Sequence, residues 1–287
     1  MTEGRLPDLI GCGAGKSGTT SLYYYLSDHP EIFMALAKEI HFFSWYDEKG
    51  LDWYRAHFAN SGGARVVGEF STTYMLEEGV PERMAEIVPE ARLLFIFRNP
   101  VQRAYSNFWS RLDPDIADPR QAFSALIRTE EGQKKYLWAG FYARHLKRFL
   151  VHYDRRQIYV LFTEELRADP AGQMADCYRF LGVDPSFQPE YEKRFNVTVV
   201  SSQKWKVALD QFWLNMKLKI KPLFLWVPAS VRKRFAEMEQ VVRTNLLNEG
   251  RPEMDEQDRA YLTEMYRESN RQLADLLGRD LPWDLEY

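Results

Sequence analysis

Residues 13–22 read Gly13-Ala14-Gly15-Lys16-Ser17-Gly18-Thr19-Thr20-Ser21-Leu22. The apolar Leu9-Ile10-Gly11 before them reads as the end of a strand, and residues 21–26 after them read as the first turns of a helix. Strand, glycine-rich turn and helix N-terminus together build an anion site. The N–H groups of the first helical turn have no partner within the helix, and the helix dipole adds partial positive charge there. Gly15 and Gly18 let the backbone come close to the anion. Lys16 brings a full charge, and Ser17, Thr19, Thr20 and Ser21 bring hydroxyl donors.

Working outward, the first comparison is with the P-loop pattern Gly-x4-Gly-Lys-Ser/Thr. Gly15-Lys16-Ser17 matches its second half, but the required first glycine falls on Ile10. The loop is too short for that motif. Further on, residues 66–70 read as a second strand, and Arg92-Leu93-Leu94-Phe95-Ile96-Phe97 is an unbroken apolar run of the kind found in a central parallel strand. A helix is expected from Pro100, with apolar residues at Val101, Ala104, Tyr105, Phe108 and Trp109 in helical spacing. Helices are also expected at 47–59, 81–88, 140–152, 170–181 (closed by Gly182) and 255–277, and a strand at 158–162. Strands alternating with helices predict an α/β fold, a single domain with a central parallel sheet flanked by helices and a P-loop-like binding loop. The expected extent is residues 1–287, with a core over 1–182 and a helical C-terminal part over 183–287. Ligands of such sheets sit outside the carboxyl ends of the strands, where Lys16, Glu69 and Arg98 would converge.

The bulk properties suit such a domain. The 287 residues are 45% hydrophobic and 28% charged, with a formal net charge of −3. That balance gives no general attraction to nucleic acid or to an anionic membrane, so any polyanion site is local. The two cysteines, Cys12 and Cys177, make neither a disulfide framework nor a metal site, and they suit a reducing compartment. No secretory signal is visible in the polar residues 1–8, and no apolar run approaches the ~18 residues that span a bilayer. The expectation is a cytoplasmic protein with no transmembrane segment. Between residues 205 and 226, Trp205, Phe212, Trp213, Phe224 and Trp226 are interleaved with lysines; the readings are core, favoured together with a lid over a hydrophobic acceptor, or a hydrophobic surface for a membrane or partner.

A second anion site is legible at Arg98, at the end of a core strand, with Ser106 eight residues on. A guanidinium and a hydroxyl there can grip a phosphate. An NTPase would more often place an acidic residue on such a strand to help hold magnesium. The alternative is that Arg98 pairs with a carboxylate, Glu69 or Asp113.

Four stretches together resemble the PAPS-dependent sulfotransferase family, in its bacterial and heparan-sulfate-type branch. The loop at 13–22 is similar to the family's phosphosulfate-binding loop. Arg98-Asn99-Pro100-Val101-Gln102-Arg103-Ala104-Tyr105-Ser106 resembles its 3′-phosphate motif. Lys38-Glu39-Ile40-His41-Phe42-Phe43 resembles its Lys-Glu-x-His-Phe-Phe signature. Glu164-Glu165-Leu166 with Asp169-Pro170, and then Phe180-Leu181-Gly182, resembles the later strand-helix unit. One departure is Glu69-Phe70-Ser71-Thr72, where the heparan-sulfate enzymes have Glu-Lys-Thr-Pro.

The resemblance implies transfer of a sulfuryl group from PAPS to a hydroxyl or amine of a carbohydrate, lipid or small molecule, without metal. It implies that Lys16 meets the leaving oxygen and that Gly15, Lys16, Ser17, Gly18, Thr19, Thr20 and Ser21 hold the 5′-phosphate. Arg98 and Ser106 would hold the 3′-phosphate, helped by a loop near 196–206 in which Ser201, Gln203 or Lys204 are the expected contacts. Glu39 is the first choice of general base and His41 the alternative, since its ordinary pKa lies nearer neutrality. The alternation Glu39, His41, Phe43 against Ile40, Phe42 predicts an extended segment with both polar groups facing the cleft. A P-loop small-molecule kinase and a non-catalytic nucleotide-binding protein are the other classes; the first would need magnesium, and the second has no use for Glu39 or His41.

Overall fold

The computed structural model describes residues 4–113, 115–191 and 251–283. Five strands, β1 (Leu9–Gly13), β2 (Ile32–Met34), β3 (Val66–Phe70), β4 (Arg92–Phe97) and β5 (Ile158–Phe162), form one sheet in the order β2-β3-β1-β4-β5. Every pairing is parallel. The central β1 sets Leu9 opposite Gly68 on one side and opposite Arg92 on the other. After β1 the chain fills one half of the sheet and then crosses to the other. That reversal opens a crevice at the carboxyl end of β1.

Alternation along β4 builds both layers of core. Leu93, Phe95 and Phe97 pack with Ile10, Cys12, Tyr142 and Phe149 on one face. Leu94 and Ile96 pack with Leu9, Leu22, Leu26, Met174 and Leu181 on the other. The flanking helices are α1 (Thr19–Asp28), α2 (Gly50–Ala56), α3 (Val80–Ile87), α4 (Pro100–Ser110), α5 (Pro119–Leu126), the single turn α6 (Glu130–Gly132), α7 (Tyr142–Leu150), α8 (Thr163–Ala168), α9 (Pro170–Leu181) and α10 (Glu256–Leu277).

Several helix ends follow from local chemistry. The Asn99 side chain accepts from the N–H groups of Val101 and Gln102, and Pro100 occupies the first turn of α4. Asp169 caps α9 by accepting from Gly172, and Asp255 caps α10 by accepting from Gln257. The last helix belongs to the same body as the sheet: Leu262 and Tyr266 pack with Val101 and Phe108 of α4, and Leu273 joins the Phe95 cluster.

The sequence reading placed strands at 66–70, 92–97 and 158–162, and all three are present. Not expected were β2, which at three residues shows no periodicity to read, and the short helices α5, α6 and α8. No helix among the described residues is long and apolar enough to cross a membrane. The stretch 205–226 and the loop at 196–206, including Lys204, lie outside the described residues.

Gly11 shows how tightly β1 is fitted. A Cβ there would lie 2.2 Å from Cδ2 of the Phe70 ring. Gly11→Ala should therefore destabilise the fold by about 1–3 kcal/mol, the usual range for overpacking, read as a lowered urea midpoint. Phe70→Leu in the same chain should recover part of the loss; no recovery would mean the strain lies elsewhere.

Candidate active site

The carboxyl end of β1 leads into the glycine-rich turn. The Ala14 N–H donates to Ile96 O of β4 at 2.9 Å, and Gly18 carries φ 91° where α1 begins. Only a glycine takes that left-handed conformation without strain. The Thr163 hydroxyl at the start of α8 lies 2.6 Å from Ser17 O and 2.9 Å from Phe97 O, tying the turn to the ends of β4 and β5. Ser17 is fully buried, with the Tyr142 hydroxyl beside its side chain. Thr19 is buried, while Gly15, Lys16, Thr20 and Ser21 keep part of their surface.

Across the crevice stand Glu39 and His41, with His41 Nε2 3.8 Å from Glu39 Oε2. The two residues share one site as expected, but by a different route. Glu39 has φ 64° and His41 φ 59°, so the segment is coiled through left-handed turns rather than extended. A single π turn, Phe42–Tyr46, follows and turns both phenylalanines inward. Phe42 stacks on Tyr54 with ring centroids 4.3 Å apart, and Phe43 meets Tyr54 and Tyr74 edge-on. Phe43 thus belongs to the core and not to the polar side, because two adjacent aromatic rings gain more by sharing one pocket than by alternating.

Among the described residues, the non-glycine positions with left-handed φ are Lys16, Glu39 and His41. Such backbone is uncommon outside glycine and clusters at functional sites, where the surroundings hold the strain in place.

The turn after β3 supplies the surroundings. Glu39 Oε1 forms an ion pair with Lys38 Nζ at 2.5 Å. Glu39 Oε2 accepts from the Thr72 N–H at 2.7 Å and from Thr72 Oγ1 at 3.1 Å. His41 Nδ1 lies 2.8 Å from Thr73 Oγ1, and the His41 N–H donates to Ser71 Oγ at 3.0 Å. Behind them Glu69 is fully buried. Its Oε1 accepts from Tyr54 and Tyr74 and its Oε2 from Ser71, each at 2.7 Å. Burial pushes its carboxyl up to about 7; the three hydroxyl bonds oppose the rise and the nearby Glu39 charge adds to it.

The second anion site is broader than the sequence suggested. Arg98 stands at the end of β4, its carbonyl accepting from the Tyr142 hydroxyl at 2.8 Å. Burial, together with the neighbouring charges of Arg167 and Arg251, lowers its guanidinium to about 10. It stays a cation at neutral pH. The carboxylate that acts on it is Glu164. Arg251 was not expected here. It arrives on the turn before α10, which is tethered by the Tyr105 hydroxyl donating to Pro252 O at 3.0 Å. Its sequence neighbourhood is Gly250-Arg251-Pro252, far along the chain. Ser106 sits on α4 and is largely covered.

The family model for the sulfotransferase domain matches residues 6–274. The chain belongs to the sulfotransferase family. The human bifunctional heparan sulfate N-deacetylase/N-sulfotransferase 2 is 30% identical over 294 residues, covering 96% of this chain. The chain spans about 30% of the length of that relative. A solved sulfotransferase from Alicyclobacillus acidocaldarius is 26% identical with a TM-score of 0.68, covering 96% of this chain and 98% of its own. The sulfotransferase domain of the curacin biosynthetic pathway is 14% identical with a TM-score of 0.50, over 97% of this chain and 100% of its own, a likeness of fold.

Glu69 gives the site a pH signature. Its unfolded carboxyl titrates near 4.5 and its folded one near 7. A raised carboxyl favours the protonated native state, so its contribution is full below pH 4.5 and is lost as pH rises through 7. At 1.36 kcal/mol per unit the loss is about 3 kcal/mol. Glu69→Gln should lose correspondingly less stability between pH 4.5 and pH 8 than the unsubstituted chain, measured by urea unfolding. Parallel stability curves would show that Glu69 does not titrate in this range.

Proposed function

We propose that this chain transfers the sulfuryl group of PAPS, 3′-phosphoadenosine-5′-phosphosulfate, to a hydroxyl or amine of a carbohydrate, lipid or small-molecule acceptor. The observation that carries the reading is the left-handed backbone at Lys16, Glu39 and His41, which marks one cation and two proton-accepting groups on a single crevice. The glycine-rich turn at the start of α1 and the Arg98, Arg167 and Arg251 cluster support two separate phosphate positions. The named activity of the relatives includes N-sulfotransferase, which supports an amine among the acceptors. Bound PAPS would supply an activated sulfuryl group on its 5′-phosphate.

Within this reading Gly15, Lys16, Ser17, Gly18, Thr19, Thr20 and Ser21 hold the 5′-phosphate through backbone N–H groups and hydroxyls. Lys16 meets the bridging oxygen as the S–O bond breaks and negative charge develops there. Arg98 and Ser106 hold the 3′-phosphate, and Arg251 adds a further guanidinium. Glu39 takes the proton released when the acceptor's oxygen or nitrogen bonds to sulfur, and His41 orients the acceptor. The charge of Lys16 serves where phosphoryl-transfer enzymes use magnesium, so the reaction proceeds in EDTA. The whole of residues 1–287 acts as one domain. A cytoplasmic location goes with this reading, supported by two buried cysteines that are free thiols.

Adenosine 3′,5′-bisphosphate should bind in EDTA much more tightly than AMP. Arg98→Ala should weaken the bisphosphate by about 2–4 kcal/mol and leave AMP nearly unchanged, by calorimetry. Equal affinity for the two nucleotides would remove the 3′-phosphate assignment. Lys16→Ala should lower kcat far more than it weakens the bisphosphate, because the charge it meets belongs to the transition state; a normal kcat with a raised KM would make Lys16 a binding residue alone. Glu39→Gln should lose about 10²–10⁴-fold in kcat while nucleotide binding survives, and full activity there with loss in His41→Ala would reverse the two roles.

A further inference from the structure

Three consecutive hydroxyl residues, Ser71, Thr72 and Thr73, follow β3, and each bonds a different part of the crevice. Ser71 Oγ donates to Glu69 and accepts the His41 N–H. Thr72 gives both its N–H and its hydroxyl to Glu39 Oε2. Thr73 Oγ1 meets His41 Nδ1 and also Ser44 Oγ, each at 2.8 Å.

The same turn is fixed to the glycine-rich loop. The Ser71 N–H donates to Gly11 O at 2.9 Å and the Met75 N–H to Cys12 O at 3.0 Å. A Cβ placed on Gly15 would lie 3.8 Å from Thr72 Oγ1, and one on Gly13 would lie 3.4 Å from Thr72 O. Residues 71–75 therefore touch both the loop that carries Lys16 and the segment that carries Glu39 and His41. The distance between the two sides of the crevice is set by this one turn.

We infer that Thr72 is a positioning residue, which fixes the Glu39 carboxylate against the loop carrying Lys16. The inference rests on the sulfotransferase reading for its catalytic consequence, but not for the contact. A carboxylate has lone pairs for several donors, and two donors from one residue lock its rotation about the terminal bond. With Oε1 held by Lys38 and Oε2 by Thr72, the plane of the carboxylate is determined from both ends. Transfer between two fixed partners loses rate steeply when either moves by about 1 Å, of the order of 10²-fold. The sequence departs here from the Glu-Lys-Thr-Pro pattern, since a proline at position 72 would have neither donor.

Thr72→Val and Thr72→Ser test this. Val keeps the shape and the N–H but removes the hydroxyl. The expected result is a drop in kcat of about tenfold for Thr72→Val, the size of one hydrogen bond to a charged group, with bisphosphate affinity unchanged. Thr72→Ser should return kcat to within about threefold of the original. A Thr72→Val chain with full kcat, or a Thr72→Ser chain as slow as Thr72→Val, overturns the inference. A urea cycle reads the contact without turnover: Thr72→Val should lower the midpoint in the unsubstituted chain but not in Glu39→Ala. Equal lowering in both backgrounds overturns the inference. If the unsubstituted chain transfers no sulfuryl group, the proposed function fails while this cycle still decides the contact.

Discussion

The hydrogen bonds at the carboxyl end of β1 are the constraint on which the site depends. On one side the strand gives its Gly11 and Cys12 carbonyls to the turn after β3; on the other, Ala14 donates to Ile96 of β4. Within the loop the Ser17 N–H donates to Ala14 O at 3.3 Å, and the Thr163 hydroxyl bridges Ser17 O and Phe97 O. Backbone groups that would otherwise be buried without partners are satisfied in the same act. The sheet order brings this about, since only a strand with parallel neighbours on both sides can be gripped from both at its carboxyl end.

Burying Glu69 beneath the site is costly, and the protein meets that cost with three hydroxyl donors rather than a cation. Two of those donors, Tyr54 and Tyr74, are also walls of the pocket that takes Phe42 and Phe43. The apolar anchor of the Glu39 segment and the polar network behind it are thus one unit. Loosening the aromatic pocket would leave a buried acid short of donors, and removing the acid would leave three buried hydroxyls to find other acceptors.

Much of this was legible in residue order. The apolar runs of β4 and β5, the helix start at Pro100 and Gly182 closing α9 are local signals, and the structure follows them closely. The glycine-rich turn was legible because strand, glycine and helix start are adjacent in sequence. What escaped the reading was non-local. Arg251 reaches Arg98 across about 150 residues, and nothing in its own neighbourhood announces the other arginines. The coil at Glu39 and His41 escaped because alternation of polar and apolar residues fits an extended chain equally well. The two left-handed residues are imposed by the turn after β3, and local propensity disfavours them. Thr72 and Thr73 read as ordinary loop residues until their partners, some thirty residues earlier, are in view.

The cluster of Arg98, Arg167 and Arg251 has an energetic side. Each guanidinium there raises the cost of its neighbours' charge. The fold therefore carries a local repulsion that the rest of the molecule must outweigh, although the net charge of the chain is negative. An anion that settles among the three relieves the repulsion as well as making its own bonds, so binding there and resistance to heat rise together. Inorganic phosphate and sulfate share this property with any nucleotide. Buffers that contain them should therefore make the protein sturdier and weaken the apparent affinity for nucleotides.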